Sequence, residues 1–171
     1  MKQQTAISKN EYTFRLAQKE EAAEVLALYR AAAATGDTEW DEEYPNAQTI
    51  EMDLAAGGLY VLCQGARIVG AVSQIDWPEL DAMPLWSPCK RPAGLARLCV
   101  HPEARGQGLG RVLVEEIRRV VKEQGFDMTH HMASQYMEAP LRIYRSMGFR
   151  QVGEIHMFDT DYFGFELELE L

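Results

Sequence analysis

The chain has 171 residues, 17 Lys plus Arg against 26 Asp plus Glu, and a formal net charge of −9 at pH 7. That length suits one domain, residues 1–171, burying about two thirds of the surface its unfolded form exposes without disulfides or metals; the negative balance argues against nucleic acid or an anionic membrane as main partner and suits a cationic one. Cys63, Cys89 and Cys99 are odd in number at no metal-ligand spacing, the opening MKQQTAISKNEY has no apolar signal region, and no apolar run reaches membrane-spanning length, so a reduced, cytoplasmic, metal-free setting is the expectation.

In chain order, YTFRLA (12–17) reads as a strand, and KEEAAEVLALYRAAAA puts Ala22, Val25, Leu28, Tyr29 and Ala32 on one helical stripe that Gly36 ends. The acidic stretch GDTEWDEEYPN is a loop, and AQTIEMDLAA a short helix stopped by Gly57 and Gly58. Two apolar runs around Gln64-Gly65-Ala66 predict an antiparallel hairpin. From Pro78 to Gly94 the prolines 78, 84, 88 and 92 predict a long irregular connection. LARLCV is a strand, and a glycine-rich loop leads into a helix with Leu109, Leu113, Ile117, Val120 and Val121 at helical spacing. FDMTHHM is a candidate strand, and EAPLRIYRSMG a helix with Pro140 in its first turn and Gly148 at its end. QVGEIHMF and FGFELELEL close the chain as strands, the second alternating Phe165, Leu167, Leu169 and Leu171 with Glu166, Glu168 and Glu170.

The segment HPEARGQGLGRVLVEEIRRVVKEQG carries the chemistry. A helix start leaves backbone N–H groups unpaired and holds the positive end of the helix dipole, so it suits an anion. Glycine there permits positive φ and close ligand approach, at about 0.5–1 kcal/mol of folding stability per residue. Gly106, Gly108 and Gly110 exceed what a structural cap needs, which points to a phosphate cradle. A P-loop is excluded because Gly110 is followed by Arg111-Val112 rather than Lys-Ser/Thr, and a dinucleotide fingerprint fits poorly because the third glycine comes one residue early.

What remains is Arg105-x-x-Gly108-x-Gly110 between a strand and an amphipathic helix. With RLCVHPEARGQGLG, LRIYRSMGF, FRLAQKEEAAEVLALYR and the order β-α-α-β-β-β-α-β-α-β-β, it resembles the GCN5-related N-acetyltransferases, the GNAT family, from Tyr12 to Leu171. The resemblance implies an α/β fold whose central mixed, mostly antiparallel sheet of six to seven strands is flanked by about four helices. It implies acetyl transfer from acetyl-CoA, as co-substrate, directly to a primary amine of a small molecule or peptide, by a monomer or homodimer. By the same resemblance Leu98, Cys99 and Val100 meet the pantetheine and acyl group through their backbone, and Arg105, Gly106, Gln107, Gly108, Leu109, Gly110 and Arg111 offer N–H groups to the pyrophosphate. Tyr144 corresponds to the tyrosine that protonates the departing CoA thiolate; the competing reading is the apolar side of a helix with Leu141, Met147 and Phe149.

The sequence departs from the family twice. LARLCV has no carboxylate to act as base, and Met137 stands where the family has Asn seven residues before the helix tyrosine. The base candidates are His130 and His131, on opposite faces by strand alternation, and Glu42 or Glu43. The loop DTEWDEEYP occupies the part of the chain that covers the acceptor site in the family, which makes Trp40, Glu42, Glu43 and Tyr44 acceptor candidates beside Asp37, Glu39 and Asp41; a solvated acidic turn around a buried Trp is the other reading. The departures keep open a non-catalytic acyl-CoA-binding sensor.

Overall fold

A computed structural model describes residues 12–170, so Leu171 of the expected last strand and the first eleven residues lie outside the described part. Seven strands form one sheet in the order β1-β2-β3-β4-β5-β7-β6. They are β1 (Thr13–Leu16), β2 (Leu59–Gln64), β3 (Arg67–Ile75), β4 (Pro92–Val100), β5 (Met128–Ser134), β6 (Arg150–Met157) and β7 (Thr160–Glu168). The helices are α1 (Ala22–Ala33), α2 (Ala47–Ala55), α3 (Pro78–Asp81), α4 (Leu109–Glu123) and α5 (Glu138–Ser146). Every neighbouring pair is antiparallel except β4 with β5.

The periodicities explain which faces are covered. Val25, Leu28, Tyr29 and Ala32 of α1 and Ile50 of α2 pack with Val61, Ala71 and Cys99 in one core on one face of the sheet. Leu113, Ile117 and Val121 of α4 pack with Tyr60, Leu62, Val69 and Val72 on the other, and Leu141 and Tyr144 of α5 extend that layer over Ala133 and Phe165. Covered on both faces, β2 is a continuous buried run from Leu59 to Cys63 rather than an alternating one.

One expectation needs correction: the stretch from Pro78 to Gly94 is not wholly irregular. Pro78 opens the four-residue α3, because the first turn needs no N–H from it, and β4 already begins at Pro92. This brings the helices to five where about four were expected. The rest of the stretch is tied down at both ends. Ser87 donates its N–H and hydroxyl to the buried Glu166, which also takes the Arg150 guanidinium, while the N–H groups of Lys90 and Arg91 each donate to Asp127 at 2.8 Å. Among the described residues, no helix is long and apolar enough to cross a membrane.

Candidate active site

The parallel pair opens into a wedge. Pro92, Ala93 and Gly94 pair with Met128, Thr129 and His130; past that point β4 continues against β3 alone and β5 against β7 alone. A bulge lies on the β4 side of the wedge, where Ala71 faces Cys99 but Ser73 faces Ala96, so β4 carries one extra residue. Arg97 absorbs it with φ 51, a left-handed conformation uncommon for a residue with a side chain. Its guanidinium is clamped on the buried Asp53 by two bonds of 2.8 and 2.7 Å, Asp53 also accepts from the Ser73 hydroxyl at 2.6 Å, and Arg97 donates to the Tyr44 hydroxyl at 3.1 Å. Leu98, Cys99 and Val100 therefore follow a fixed kink toward the mouth of the wedge.

The glycine loop leaves β4 at that mouth through a tight turn, Pro102–Ala104. Gly106 and Gly108 have φ 82 and 73, and a side chain at either would meet nothing within 4 Å, so the backbone there lies open. Gly110 serves packing: a Cβ there would lie 2.9 Å from Cδ1 of Ile143 on α5. Among the described residues no side chain caps α4 and no backbone acceptor pairs with the N–H groups of Gly106 through Arg111. A run of free donors at the positive end of a 15-residue helix is a receptive surface for an anion. Beside it, Arg105 pairs with Asp37 at 2.7 Å, and Gln107 accepts from Gln64 at 3.0 Å.

Tyr144 faces the sheet from α5, 9% exposed, with its ring centroid 4.2 Å from His131 and 5.6 Å from Phe165. Burial pushes its phenol up to about 12, so it stays protonated at neutral pH. Among the described residues no side chain bonds to its hydroxyl, and burial is the one cause of the shift. His131 is caged by Tyr144, Phe149 and Phe165, both ring nitrogens lack a partner among the described residues, and burial with the adjacent His130 lowers it to about 3. His130 points to the other face, its Nδ1 2.7 Å from Oδ1 of Asp81 and its ring stacked 4.0 Å under Trp86.

The acidic loop reaches over the wedge from two sides. Asp37 holds Arg105 of the glycine loop, and Glu39 accepts from the Ser134 hydroxyl at the end of β5, at 2.7 Å. Of the acceptor candidates, Trp40 packs edge-on against Tyr29 at 5.3 Å, Tyr44 bonds Arg97, and Glu42 and Glu43 point to solvent. Asp41 shapes the turn by accepting the N–H groups of Glu43 and Tyr44. Sequence reasoning gave no role to Arg97 or Asp53, and singled out Glu42 and Glu43 ahead of Glu39. An arginine inside an apolar strand was the available signal for the first pair; nothing local distinguishes Glu39 from its neighbours.

A wedge in the sheet, a bulge beside it and a glycine-rich helix start at its mouth define a class of α/β domain. A family profile described as Acetyltransferase (GNAT) domain matches residues 55–151, and the chain belongs to that family. Over 105 residues it is 30% identical to N-acetyltransferase 8 of Rattus norvegicus, matching 58% of this chain and 42% of that protein. It is 29% identical over 105 residues to N-acetyltransferase 8F1 of the same organism, at 58% and 42%. The match thus spans less than half the length of these curated relatives. In fold the chain resembles yncA from Salmonella typhimurium, solved with its cofactor acetyl-CoA, at TM-score 0.72 and 20% identity over 94% of this chain and 95% of that one. The ribosomal-protein-S18-alanine N-acetyltransferase of Escherichia coli gives TM-score 0.72 and 16% identity, with the same coverage.

Proposed function

We propose that this chain transfers an acetyl group from acetyl-CoA directly to a primary amine on a small molecule or peptide. The observation that carries the reading is the free N–H run from Gly106 to Arg111 at the mouth of the β4–β5 wedge. Successive backbone donors and the positive end of α4 suit two adjacent phosphates, each such contact contributing about 0.3–1 kcal/mol. Leu98, Cys99 and Val100 offer the β4 edge to the pantetheine and acyl group, and the Arg97 bulge, held by Asp53, fixes that edge before the ligand arrives.

Attack of an amine on a thioester builds an oxyanion and then expels a thiolate, which needs a proton. Tyr144 is the proposed source: it is protonated at neutral pH and bonded to no described side chain. The amine is cationic in solution and must lose a proton to become nucleophilic. Glu39 is the loop carboxylate tied to the wedge wall through Ser134, so it is assigned the attraction of the ammonium and the removal of its proton. On this reading His131 buttresses the Tyr144 ring, and His130 belongs to the opposite face with Asp81.

The test is release of free CoA thiol from acetyl-CoA over a panel of small amines, peptide N-termini and lysine peptides. Turnover on any of them supports the reading and names the acceptor. Acetyl-CoA binding by calorimetry with no thiol release on any amine would support a sensor instead, and absence of binding would remove the glycine loop from the site.

A further inference from the structure

On the face of the sheet away from Tyr144, three side chains form a relay that acetyl transfer does not use. Asp81 of α3 accepts from Nδ1 of His130 at 2.7 Å, and Nε2 of the same ring faces the Cys89 sulfur at 4.0 Å. Asp81 thus places the ring proton on Nδ1 and leaves Nε2 as an acceptor aimed at the thiol. The partners sit at opposite nitrogens, so they do not converge on one metal ion, and among the described residues no His, Cys, Asp and Glu cluster is arranged to hold one. His130 is 1% exposed, stacked under Trp86, and fixed in orientation; Cys89 is partly exposed and lies between Ser87, tied to Glu166, and Lys90, tied to Asp127. Nucleophile, base and orienting acid in that order form the constellation that activates a thiol.

We propose that Cys89 is a nucleophilic thiol, with His130 as its base and Asp81 as the positioning acid, that undergoes thiol–disulfide exchange with the disulfide of a small zwitterionic thiol. Two observations select this chemistry. Acyl transfer would need several donors for an oxyanion, yet of the N–H groups from Ser87 to Arg91 those of Ser87, Lys90 and Arg91 are committed to Glu166 and Asp127, which leaves that of Cys89 alone. Disulfide exchange develops no oxyanion. A cavity of about 380 Å³ meets the relay at Asp81 and is lined also by Asp76, Arg91 and Lys90, the residue that follows Cys89. It brings carboxylates and cationic side chains together, matching a ligand that carries both an ammonium and a carboxylate.

As the Cys89 sulfur attacks one sulfur of R–S–S–R, its proton passes to Nε2 of His130; a new Cys89–S–S–R bond forms, the old S–S bond breaks, and R–S⁻ departs with the proton returned from His130. Burial and the carboxylates of Asp127, Asp81 and Glu166 push the resting thiol up, so the base is required rather than optional. The relay touches the closed end of the β4–β5 wedge at His130, on the sheet face opposite Tyr144, and does not rest on the acetyl-transfer reading.

The experiment follows Cys89 by intact mass and peptide mapping, with cystine as zwitterionic probe and bis(2-hydroxyethyl) disulfide as neutral probe. The wild type is expected to form a mixed disulfide on Cys89 at least about tenfold faster than a short unstructured peptide of the same local sequence. His130→Gln should remove that advantage for both probes, while Lys90→Gln with Asp76→Asn should slow only the zwitterionic one. Reaction of wild-type Cys89 at or below the peptide rate overturns the proposal, as does an unchanged rate in folded His130→Gln. Equal rates for the two probes in the wild type would overturn the assigned ligand class. Should His130→Gln fail to fold, the comparison of wild type with peptide decides the nucleophile alone.

Discussion

The Tyr144 hydroxyl is proposed to act only as the thiolate leaves, so its removal should cost transition-state stabilisation and spare ground-state binding. Tyr144→Phe is expected to lower kcat about 10²–10⁴-fold in single-turnover acetyl transfer, with acetyl-CoA affinity within a few-fold, since the ring and its packing on His131 remain. A wild-type rate in that assay would make Tyr144 a core residue. Its neighbour His131 offers a test by pH. The folded state holds this imidazole neutral down to about 3, against an ordinary value of 6.5. Between those limits the unfolded chain binds a proton that the native state refuses, so stability rises with pH through that window and falls on acidification. His131→Phe removes the difference. Urea midpoints measured across that range should fall less steeply in the variant than in the wild type, and parallel profiles would show that His131 gains a partner on protonation.

At the scale of elements, the β4 bulge and the α4 start each shape one wall of the wedge. Asp53→Ala would leave Arg97 with its charge buried and its left-handed backbone unsupported. Breaking a buried pair in this way costs about 3–5 kcal/mol, which urea unfolding should report; the Arg97→Ala, Asp53→Ala double variant should lose less than the sum of the two single changes. At the loop, Gly108→Ala and Gly108→Asp share the strain of positive φ in open space, but only the second adds charge. Acetyl-CoA affinity is therefore expected to drop at least about tenfold further in the Asp variant than in the Ala variant, as read by calorimetry. These elements also mark what the sequence could disclose. The α1 stripe, the β2–β3 hairpin and the α4 pattern are local, set by residues a few positions apart, and were legible as such. So was the glycine loop, because a helix start tolerates that many glycines only for a reason. The bulge was not legible, since Arg97 takes its conformation from Asp53, 44 residues away in the chain. Nor was the short α3, whose proline-rich surroundings masked a first-turn proline, and with it went the placement of Asp81 against His130.

Across the whole molecule, the loop between α1 and α2 joins the two halves of the proposed reaction. It meets the pyrophosphate side through Asp37 on Arg105 and the acceptor side through Glu39 on Ser134, with Tyr44 on the bulge between them. A phosphate arriving at the glycine loop would compete with Asp37 for the Arg105 guanidinium, which prefers paired anionic oxygens. Both partners are substantially solvent-exposed, so the pair contributes only about 0.2–1 kcal/mol. Asp37→Asn should therefore tighten acetyl-CoA binding, because it removes an internal competitor, and by no more than about fivefold, the affinity equivalent of that range. The gain should shrink as salt is raised and screens the pair. Calorimetric titration of acetyl-CoA into both proteins at low and high ionic strength measures each quantity. Weaker binding in Asp37→Asn would mean that the carboxylate holds Arg105 in its binding position, so that the loop assists the cofactor. Equal affinities at both salts would mean that Arg105 does not meet the phosphates, leaving them to the backbone N–H groups of Gly106 through Arg111.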